Sequence, residues 1–135
     1  MRVSDEPRIP IVNEVDIVEA RRRGRALAAE LGFGLSDQAL IATAISELAR
    51  NILQYAKRGD LIINVADNGT RKGIDVVAVD QGPGIADPQR AMQDGYSTGA
   101  GLGLGLPGTR RIMDEFQLQT EIGRGTRVAV KKWVP

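Results

Sequence analysis

The chain of 135 residues contains neither cysteine nor histidine. Without cysteine, disulfide bridges and thiolate metal sites are excluded, and nothing in the sequence argues for export. Without histidine, Ser-His and Cys-His catalysis and a phosphohistidine intermediate are excluded as well. Any general base in this protein must therefore be a carboxylate, an amine or a tyrosine.

Neither sign of charge is in clear excess, since 18 basic and 17 acidic residues leave a net charge of +1. We therefore expect no nucleic-acid partner, and the basic run Arg21-Arg22-Arg23 is interpreted as a solvated helix face. No apolar run approaches the roughly 20 residues that a membrane span needs. We expect a cytoplasmic protein that does not enter a membrane, with residues 1–135 forming one domain.

Hydrophobic periodicity and the positions of glycine and proline divide the chain into strands and helices. Strands are predicted over residues 8–15, 60–67, 73–80, 117–122 and 126–133, and helices over 16–31, 36–55, 87–93 and 107–115. Ser36 or Asp37 is expected to cap the second helix. This order predicts an α+β two-layer sandwich, with helices on one face of a mixed or antiparallel sheet.

The stretch from Asp80 to Ile85 follows the alternating strand Val76-Val77-Ala78-Val79. The strand delivers a carboxylate to its carboxyl end, and Gly82 and Gly84 then flank a stiff proline. A carboxylate beside a floor without side chains is suited to reading the amino edge of a base such as adenine. We therefore predict a base-binding turn here.

Glu47 and Asn51 are four residues apart on the second predicted helix and project from the same face. The amide oxygen of Asn51 is a suitable ligand for a hard cation such as Mg²⁺. The Glu47 carboxylate can accept a proton from an attacking hydroxyl group. The pair also fits an ordinary solvated helix face, and the spacing alone does not choose between the two.

The segment from Gly95 to Gly108 contains six glycines, counting these two. Backbone N–H groups in such a loop can wrap phosphates, although a surface loop would look similar. Leucines at 102, 104 and 106 alternate with the glycines, which favours a loop that closes over a ligand. Neither a Walker-type phosphate loop nor a dinucleotide-binding βαβ unit is present.

These segments together resemble the GHKL superfamily, named for gyrase, Hsp90, histidine kinase and MutL. Residues 47–51 resemble its N box, 80–84 and 101–105 its two glycine boxes, and 123–126 its last box. The resemblance implies ATP and Mg²⁺ as cofactors, with Mg²⁺ on Asn51, the adenine amino group on Asp80, support from Thr126, and an ATP lid over 95–105. The nucleotide-binding residues that it implies are Asn51, Asp80, Gly82, Gly84, Ile85, Ser97, Thr98, Gly99, Gly101, Leu102, Gly103, Leu104, Gly105 and Thr126.

Within this superfamily the chain looks most like the RsbT-type serine/threonine switch kinases of bacterial partner-switching systems. That resemblance implies Glu47 as catalytic base, STAS-domain proteins (RsbS- and RsbR-like) as substrates, and an RsbU-type phosphatase or similar output protein. Related kinases carry a lid arginine, but residues 91–109 contain no Lys or Arg, so Arg110, Arg111 or a partner would supply that cation. The alternative is an RsbW-type anti-sigma factor that sequesters a sigma factor.

Overall fold

The computed structural model describes residues 7–92 and 105–135. Five antiparallel strands form one sheet in the order β1-β2-β3-β5-β4. The strands are β1 (Arg8–Ile11), β2 (Gly59–Asp67), β3 (Lys72–Asp80), β4 (Glu115–Glu121) and β5 (Gly125–Trp133). The helices are α1 (Glu14–Leu31), α2 (Leu35–Ala56), α3 (Pro88–Ala91) and α4 (Gly105–Ile112).

One face of the sheet carries the core, because alternate strand residues point to opposite sides. The buried strand residues include Leu61, Ile74, Val76, Val128 and Val130, and they form one cluster with apolar residues of the helices. Most of the intervening strand residues are half-buried or exposed, and the buried exceptions are Ala66, Gly73 and Gly125. The predicted α+β sandwich, with helices on one face of the sheet, is confirmed.

The N-terminal strand is shorter than predicted, because β1 ends at Ile11 rather than at residue 15. The side chain of Asn13 accepts a hydrogen bond from the Asp16 backbone, and the Asp16 side chain accepts from the Asn13 backbone. This capping box starts α1 at Glu14, before the predicted helix. Pro10 is tolerated because β1 is an edge strand.

The start of α2 differs from the prediction as well. Gly34 is the N-cap and makes no side-chain capping bond, so the expected cap at Ser36 or Asp37 is wrong. The wide apolar stripe of the helix is confirmed, since Ile41, Ile45 and Ile52 are buried. Packing of the stripe from Ile41 onward stabilises the helix, which begins without a side-chain cap.

The last helix, α4, begins at Gly105 and ends at Ile112, three residues before the predicted end. Lys132 Nζ donates to the Ile112 carbonyl oxygen at 2.9 Å, and the Asp114 N–H donates to the Lys131 carbonyl oxygen at 2.8 Å. The chain therefore turns directly into β4. None of the helices in the described ranges has the length and apolar character that crossing a bilayer requires.

Candidate functional site

Three polar residues form a row across the end of the sheet. Asp80 ends β3 and is paired in register with Thr126 of β5, which is paired in turn with Thr120 of β4. Asp80 lies two residues after the buried Ala78, Thr126 lies two residues before the buried Val128, and Thr120 lies opposite Thr126. All three side chains are therefore on the face of the sheet that carries the core. The sheet thus brings a carboxylate and two hydroxyls together beneath the helices.

The turn after Asp80 is held tightly by contacts within the protein. Asp80 Oδ1 accepts a hydrogen bond from the Gly82 N–H at 2.9 Å. A Cβ on Gly82 would lie 2.6 Å from the Ala56 Cβ, and one on Gly84, where φ is +80°, would lie 2.5 Å from the Glu121 carbonyl oxygen. Both glycines are required by close backbone packing. That a flat ligand also uses this space stays a prediction.

The far end of the turn is tied to the Thr row. The Ile85 N–H donates to Thr120 Oγ1 at 2.8 Å, and Thr120 Oγ1 lies 2.9 Å from Thr126 Oγ1. The Gly125 carbonyl oxygen lies 3.3 Å from the same Thr120 oxygen. These bonds connect the Asp80 turn, β4 and β5 through one side chain.

Glu47 of α2 is buried, with only 4% of the residue exposed. Its Oε1 lies 3.3 Å from Arg50 Nη1, and its Oε2 accepts a hydrogen bond from the Gly105 N–H at 3.2 Å. A buried carboxylate needs such partners, and the N-terminal end of α4 is a favourable place for a negative charge. The interpretation of this position as a solvated helix face is therefore wrong.

A cleft of about 880 Å³, counting the part open to solvent, lies between α2, the Asp80 turn and the start of α4. The residues that line it are Leu48, Asn51, Ile52, Tyr55, Ala78, Asp80, Pro83, Gly84, Ile85, Ala86, Ala91, Gly105, Leu106, Pro107, Thr126 and Val128.

The cleft contains most of the described residues that the sequence singled out. Asn51, Asp80, Gly84, Ile85, Gly105 and Thr126 all line it. Glu47 borders the cleft through its bond to Gly105, and Gly82 supports the turn from behind, against Ala56. Gly105, which the sequence places in the loop, is the first residue of α4. Ser97, Thr98, Gly99, Gly101, Leu102, Gly103 and Leu104 lie outside the described residues.

Sequence reasoning missed three residues of this region. Tyr55 lines the cleft with 41% of the residue exposed, and its spacing of four from Asn51 was the available signal. Arg50 is paired with Glu47, three residues before it. Thr120 gave no signal beyond its place in a strand, because its role depends on the register of the β4–β5 hairpin.

Arg110 and Arg111, two of the expected sources of a cation, are not among the described residues that line the cleft. Arg110 and Arg111 are in the last turn of α4, whereas the first residue of this helix borders the cleft. Arg50 is the basic side chain placed beside Glu47, with 31% of its side chain exposed.

The donor set of the cleft suits a weakly held hard cation. Among the described residues, no three His, Cys, Asp or Glu side chains are grouped so that they could hold a metal ion. Asn51 nevertheless offers an amide oxygen inside the cleft. Mg²⁺ commonly keeps several waters and binds through one or two protein oxygens plus substrate phosphates, so the residues present fit it.

Comparisons with known proteins identify the family of this chain. The model of the family "Histidine kinase-, DNA gyrase B-, and HSP90-like ATPase" matches residues 36–135. The serine/threonine-protein kinase RsbT of Bacillus subtilis (strain 168) is 53% identical over 133 residues, covering 98% of this chain and 99% of that protein. An anti-sigma F factor of Thermoanaerobacter sp. (strain X514) is 31% identical, covering 85% and 83% respectively.

A solved structure, the mycobacterial sensor histidine kinase MprB, superposes with a TM-score of 0.55 at 15% identity and covers 95% of this chain and 97% of its own. At that identity the likeness shows the fold alone. The resemblance of the sequence to the GHKL superfamily, and within it to RsbT-type kinases, is confirmed by the family match and the 53% identity. The chain belongs to the family of histidine kinase-, DNA gyrase B- and HSP90-like ATPases.

Proposed function

We propose that this protein is an ATP-dependent serine/threonine protein kinase that phosphorylates STAS-domain partner proteins and acts as one domain over residues 1–135. The observation that carries the proposal is a single cleft with two chemically different ends. Asp80 and Thr126 line the cleft near the end of α2, where Gly82 packs on Ala56, whereas Glu47, one turn before Asn51, contacts Gly105. The 53% identity to a serine/threonine-protein kinase supports the same activity.

The end with Asp80 binds the adenine base. The carboxylate accepts a hydrogen bond from the exocyclic amino group, and Thr126 adds a hydroxyl next to it in register. The apolar walls at Ile52, Ile85 and Val128 take the faces of the ring. Tyr55 extends this wall toward solvent.

The end with Asn51 takes the phosphates. The Asn51 amide oxygen would hold Mg²⁺, which, when bound, offsets the negative charge of the phosphate oxygens. The N-terminal end of α4, beginning at Gly105, offers a partly positive group at the same place. The glycines of the 95–105 segment would add further backbone donors as the lid.

Glu47 is the residue that we assign to the acceptor. A serine or threonine hydroxyl of the partner attacks the γ-phosphorus, and its proton passes to the Glu47 carboxylate. The bond between the γ-phosphorus and the bridging oxygen breaks, and ADP leaves with the electron pair. Both carboxylate oxygens have donors in this structure, so one lone pair must turn toward the incoming hydroxyl.

Arg50 is the cation that we assign to this end of the cleft, in place of a lid arginine. Its guanidinium group is partly exposed and lies beside the carboxylate of Glu47, the general base. A small side-chain movement would therefore carry it from Glu47 toward the transferred phosphoryl group. The partners follow from the resemblance to switch kinases. Release from a STAS protein would free the kinase to activate an RsbU-type phosphatase or a similar output protein, in the cytoplasm.

The test is to mix the chain with Mg·ATP and a STAS-domain protein encoded beside it, and to identify phosphoserine or phosphothreonine by mass spectrometry. Phosphorylation that needs the purified chain supports the proposal. An unmodified STAS protein, with ADP still bound by the chain, would contradict the kinase activity and leave the nucleotide site standing.

A second candidate function is anti-sigma activity, because relatives named anti-sigma F factor match most of the chain at about 30% identity. A pull-down with a sigma factor and with the STAS protein separates the two functions. Retention of the sigma factor in preference to the STAS protein would favour this alternative.

A further inference from the structure

The turn after Asp80 crosses one strand of the sheet and is bonded to the next. β5 lies between β3 and β4 in the sheet. A Cβ on Gly125 of β5 would collide with the Asp80 carbonyl oxygen, because the chain that leaves β3 passes over β5 at this point. Beyond the crossing, the Ile85 N–H donates to Thr120 Oγ1 of β4 at 2.8 Å. The edge strand of the sheet therefore holds the far end of the turn.

The two hydrogen bonds that hold the turn on the β4–β5 hairpin differ in their acceptors. The Gly123 N–H donates to the Pro83 carbonyl oxygen at 2.8 Å, and this bond between backbone groups does not depend on a side chain. The acceptor for the Ile85 N–H is the hydroxyl of Thr120, also at 2.8 Å, which is an ordinary length for such a bond. The position of the Ile85 backbone therefore depends on which side chain stands at residue 120.

The bond from Ile85 has one possible direction. Thr120 Oγ1 also lies 2.9 Å from Thr126 Oγ1 and 3.3 Å from the Gly125 carbonyl oxygen, and its single proton is available for either oxygen. An N–H can only donate, so Thr120 accepts from Ile85 in both cases. Gly84 and Ile85 line the cleft, whereas Thr120 does not belong to its lining among the described residues. Thr120 acts on a ligand through the turn and not by contact.

We propose that Thr120 is a positioning residue for nucleotide binding: its hydroxyl oxygen holds the Ile85 backbone, and with it the wall that Gly84 and Ile85 give to the cleft. The proposal rests on the assignment of the cleft to ATP. Without the bond, the turn would adopt its binding position for a smaller fraction of the time, and the apparent affinity would fall in proportion. The expected loss is about fivefold, the shift that one neutral hydrogen bond produces. Contacts with the base do not change during phosphoryl transfer, so the loss should raise KM and leave kcat unaltered.

The experiment measures ADP binding by isothermal titration calorimetry and phosphoryl transfer from ATP to the STAS protein by steady-state kinetics. Thr120→Val keeps the shape of the side chain and removes the acceptor, and it should raise the Kd of ADP and the KM of ATP about fivefold with kcat unchanged. Thr120→Ser keeps the hydroxyl and should match the wild type. The matched control is Thr43→Val on α2, which removes a hydroxyl that donates to the Ala39 carbonyl oxygen at 3.0 Å, outside the lining of the cleft. This control should leave all three quantities unchanged.

A second comparison separates the turn from Thr126, which contacts the same hydroxyl and lines the cleft. Thr120→Val is repeated in a Thr126→Val background, as in a double-mutant cycle. The Kd of ADP should again rise about fivefold when Thr120 is replaced, because the Ile85 N–H loses its acceptor in this background as well. A loss of affinity that disappears in this background would mean that Thr120 acts through Thr126, and it would overturn the proposal.

A purely structural role for Thr120 gives a different result. It would lower the fraction of folded protein, so calorimetry would show fewer binding sites at an unchanged Kd, and kcat would fall at an unchanged KM. Either observation overturns the proposal. Should Thr120→Val fail to fold, Thr120→Ala, which also removes the acceptor, is read in the same way. A wild-type chain that binds no ADP overturns the nucleotide site itself, whereas one that binds ADP without transferring phosphate overturns the kinase activity, and the ADP affinities then still decide the role of Thr120.

Discussion

The two ends of the cleft, which we propose hold the base and the phosphates of ATP, are built by different means. At the base end, Asp80, Thr126 and Thr120 lie side by side because three antiparallel strands are paired in one register. At the phosphate end, Glu47 meets Gly105 because α4 packs against α2, across 58 residues of sequence. The first end is a property of the sheet, and the second is a property of helix packing.

The chemistry of the two ends differs in the same way. The base end is made mainly of neutral hydrogen bonds between backbone and hydroxyl groups, with one carboxylate held by a backbone N–H. The phosphate end has a buried carboxylate paired with Arg50 and with the first N–H of a helix. We infer that the base end is rigid and selective, whereas the phosphate end has contacts that must rearrange during the reaction.

The largest effect should come from Glu47→Gln, which keeps the shape of the side chain and removes the general base of the phosphoryl transfer. Phosphoryl transfer to the STAS protein should fall by about 10²–10⁴ in kcat. ADP affinity should change little, because Glu47 borders the cleft rather than lining it. Single-turnover transfer and calorimetry measure the two quantities, and a transfer rate equal to that of the wild type would show that Glu47 is not the base.

Asp80→Asn should produce the next largest effect, at the opposite end. Loss of the charged acceptor should weaken ADP binding by about 10–100-fold, since a hydrogen bond to a charged group contributes about 1.5–3 kcal/mol. The new amide can donate to a carbonyl, so inosine diphosphate should lose much less. Calorimetry with both nucleotides checks this, and equal losses for the two ligands would argue against base reading by Asp80.

Arg50→Ala should lower kcat by about tenfold, because it removes one charge-assisted contact beside the general base Glu47. The nucleotide affinity should stay close to that of the wild type, since Arg50 does not belong to the lining of the cleft among the described residues. Arg50→Lys, which keeps the charge, should give an intermediate rate. Rapid-quench kinetics of all three proteins make the comparison, and equal rates would leave Arg50 with a structural role only.

The smallest effect is expected at Asp75, on the sheet face away from the helices. A substitution there serves as the control for the substitutions at both ends of the cleft. Partial burial raises the pKa of the Asp75 carboxyl, against the lowering influence of Lys131 and Arg127, while Glu115 adds to the rise. A raised pKa in the folded state means that this group favours folding at low pH and disfavours it as the pH rises through that pKa.

Asp75→Asn should accordingly raise the free energy of unfolding at pH 7 by no more than about 0.5 kcal/mol. The gain should disappear at acidic pH, where the native carboxyl is protonated. Urea denaturation at the two pH values measures this difference. ADP affinity and phosphoryl transfer should be unchanged, and a change in either would mean that this face communicates with the cleft.

Local patterns predicted the elements well where periodicity was strong. The apolar stripe of α2 and the alternation of β3 placed Asn51 and Asp80 at the cleft. The pattern failed at element ends, as at Asn13, where a capping box began α1 before the predicted helix. The alternating pattern of β1 continues past Ile11 in the sequence. The backbone there forms the hydrogen bonds of the helix cap instead of pairing with a neighbouring strand.

Glu47 shows what spacing alone could not decide. Its position one turn before Asn51 was visible in the sequence, yet solvated and buried environments fit that spacing equally. Burial depended on Gly105 and Arg50 supplying donors to both oxygens. A carboxylate can be buried only when such partners arrive, and one of them is distant along the chain.

The sequence by itself determined the order of the boxes, the helix that carries Glu47 and Asn51, and the strand that ends at Asp80. These depend on periodicities of two and 3.6 residues, which are local. Only the tertiary structure decided the partners of Glu47 and the row from Asp80 to Thr120. Alternation fixes the face of a strand, but the register and the packing of α4 on α2 come from contacts between residues far apart in sequence.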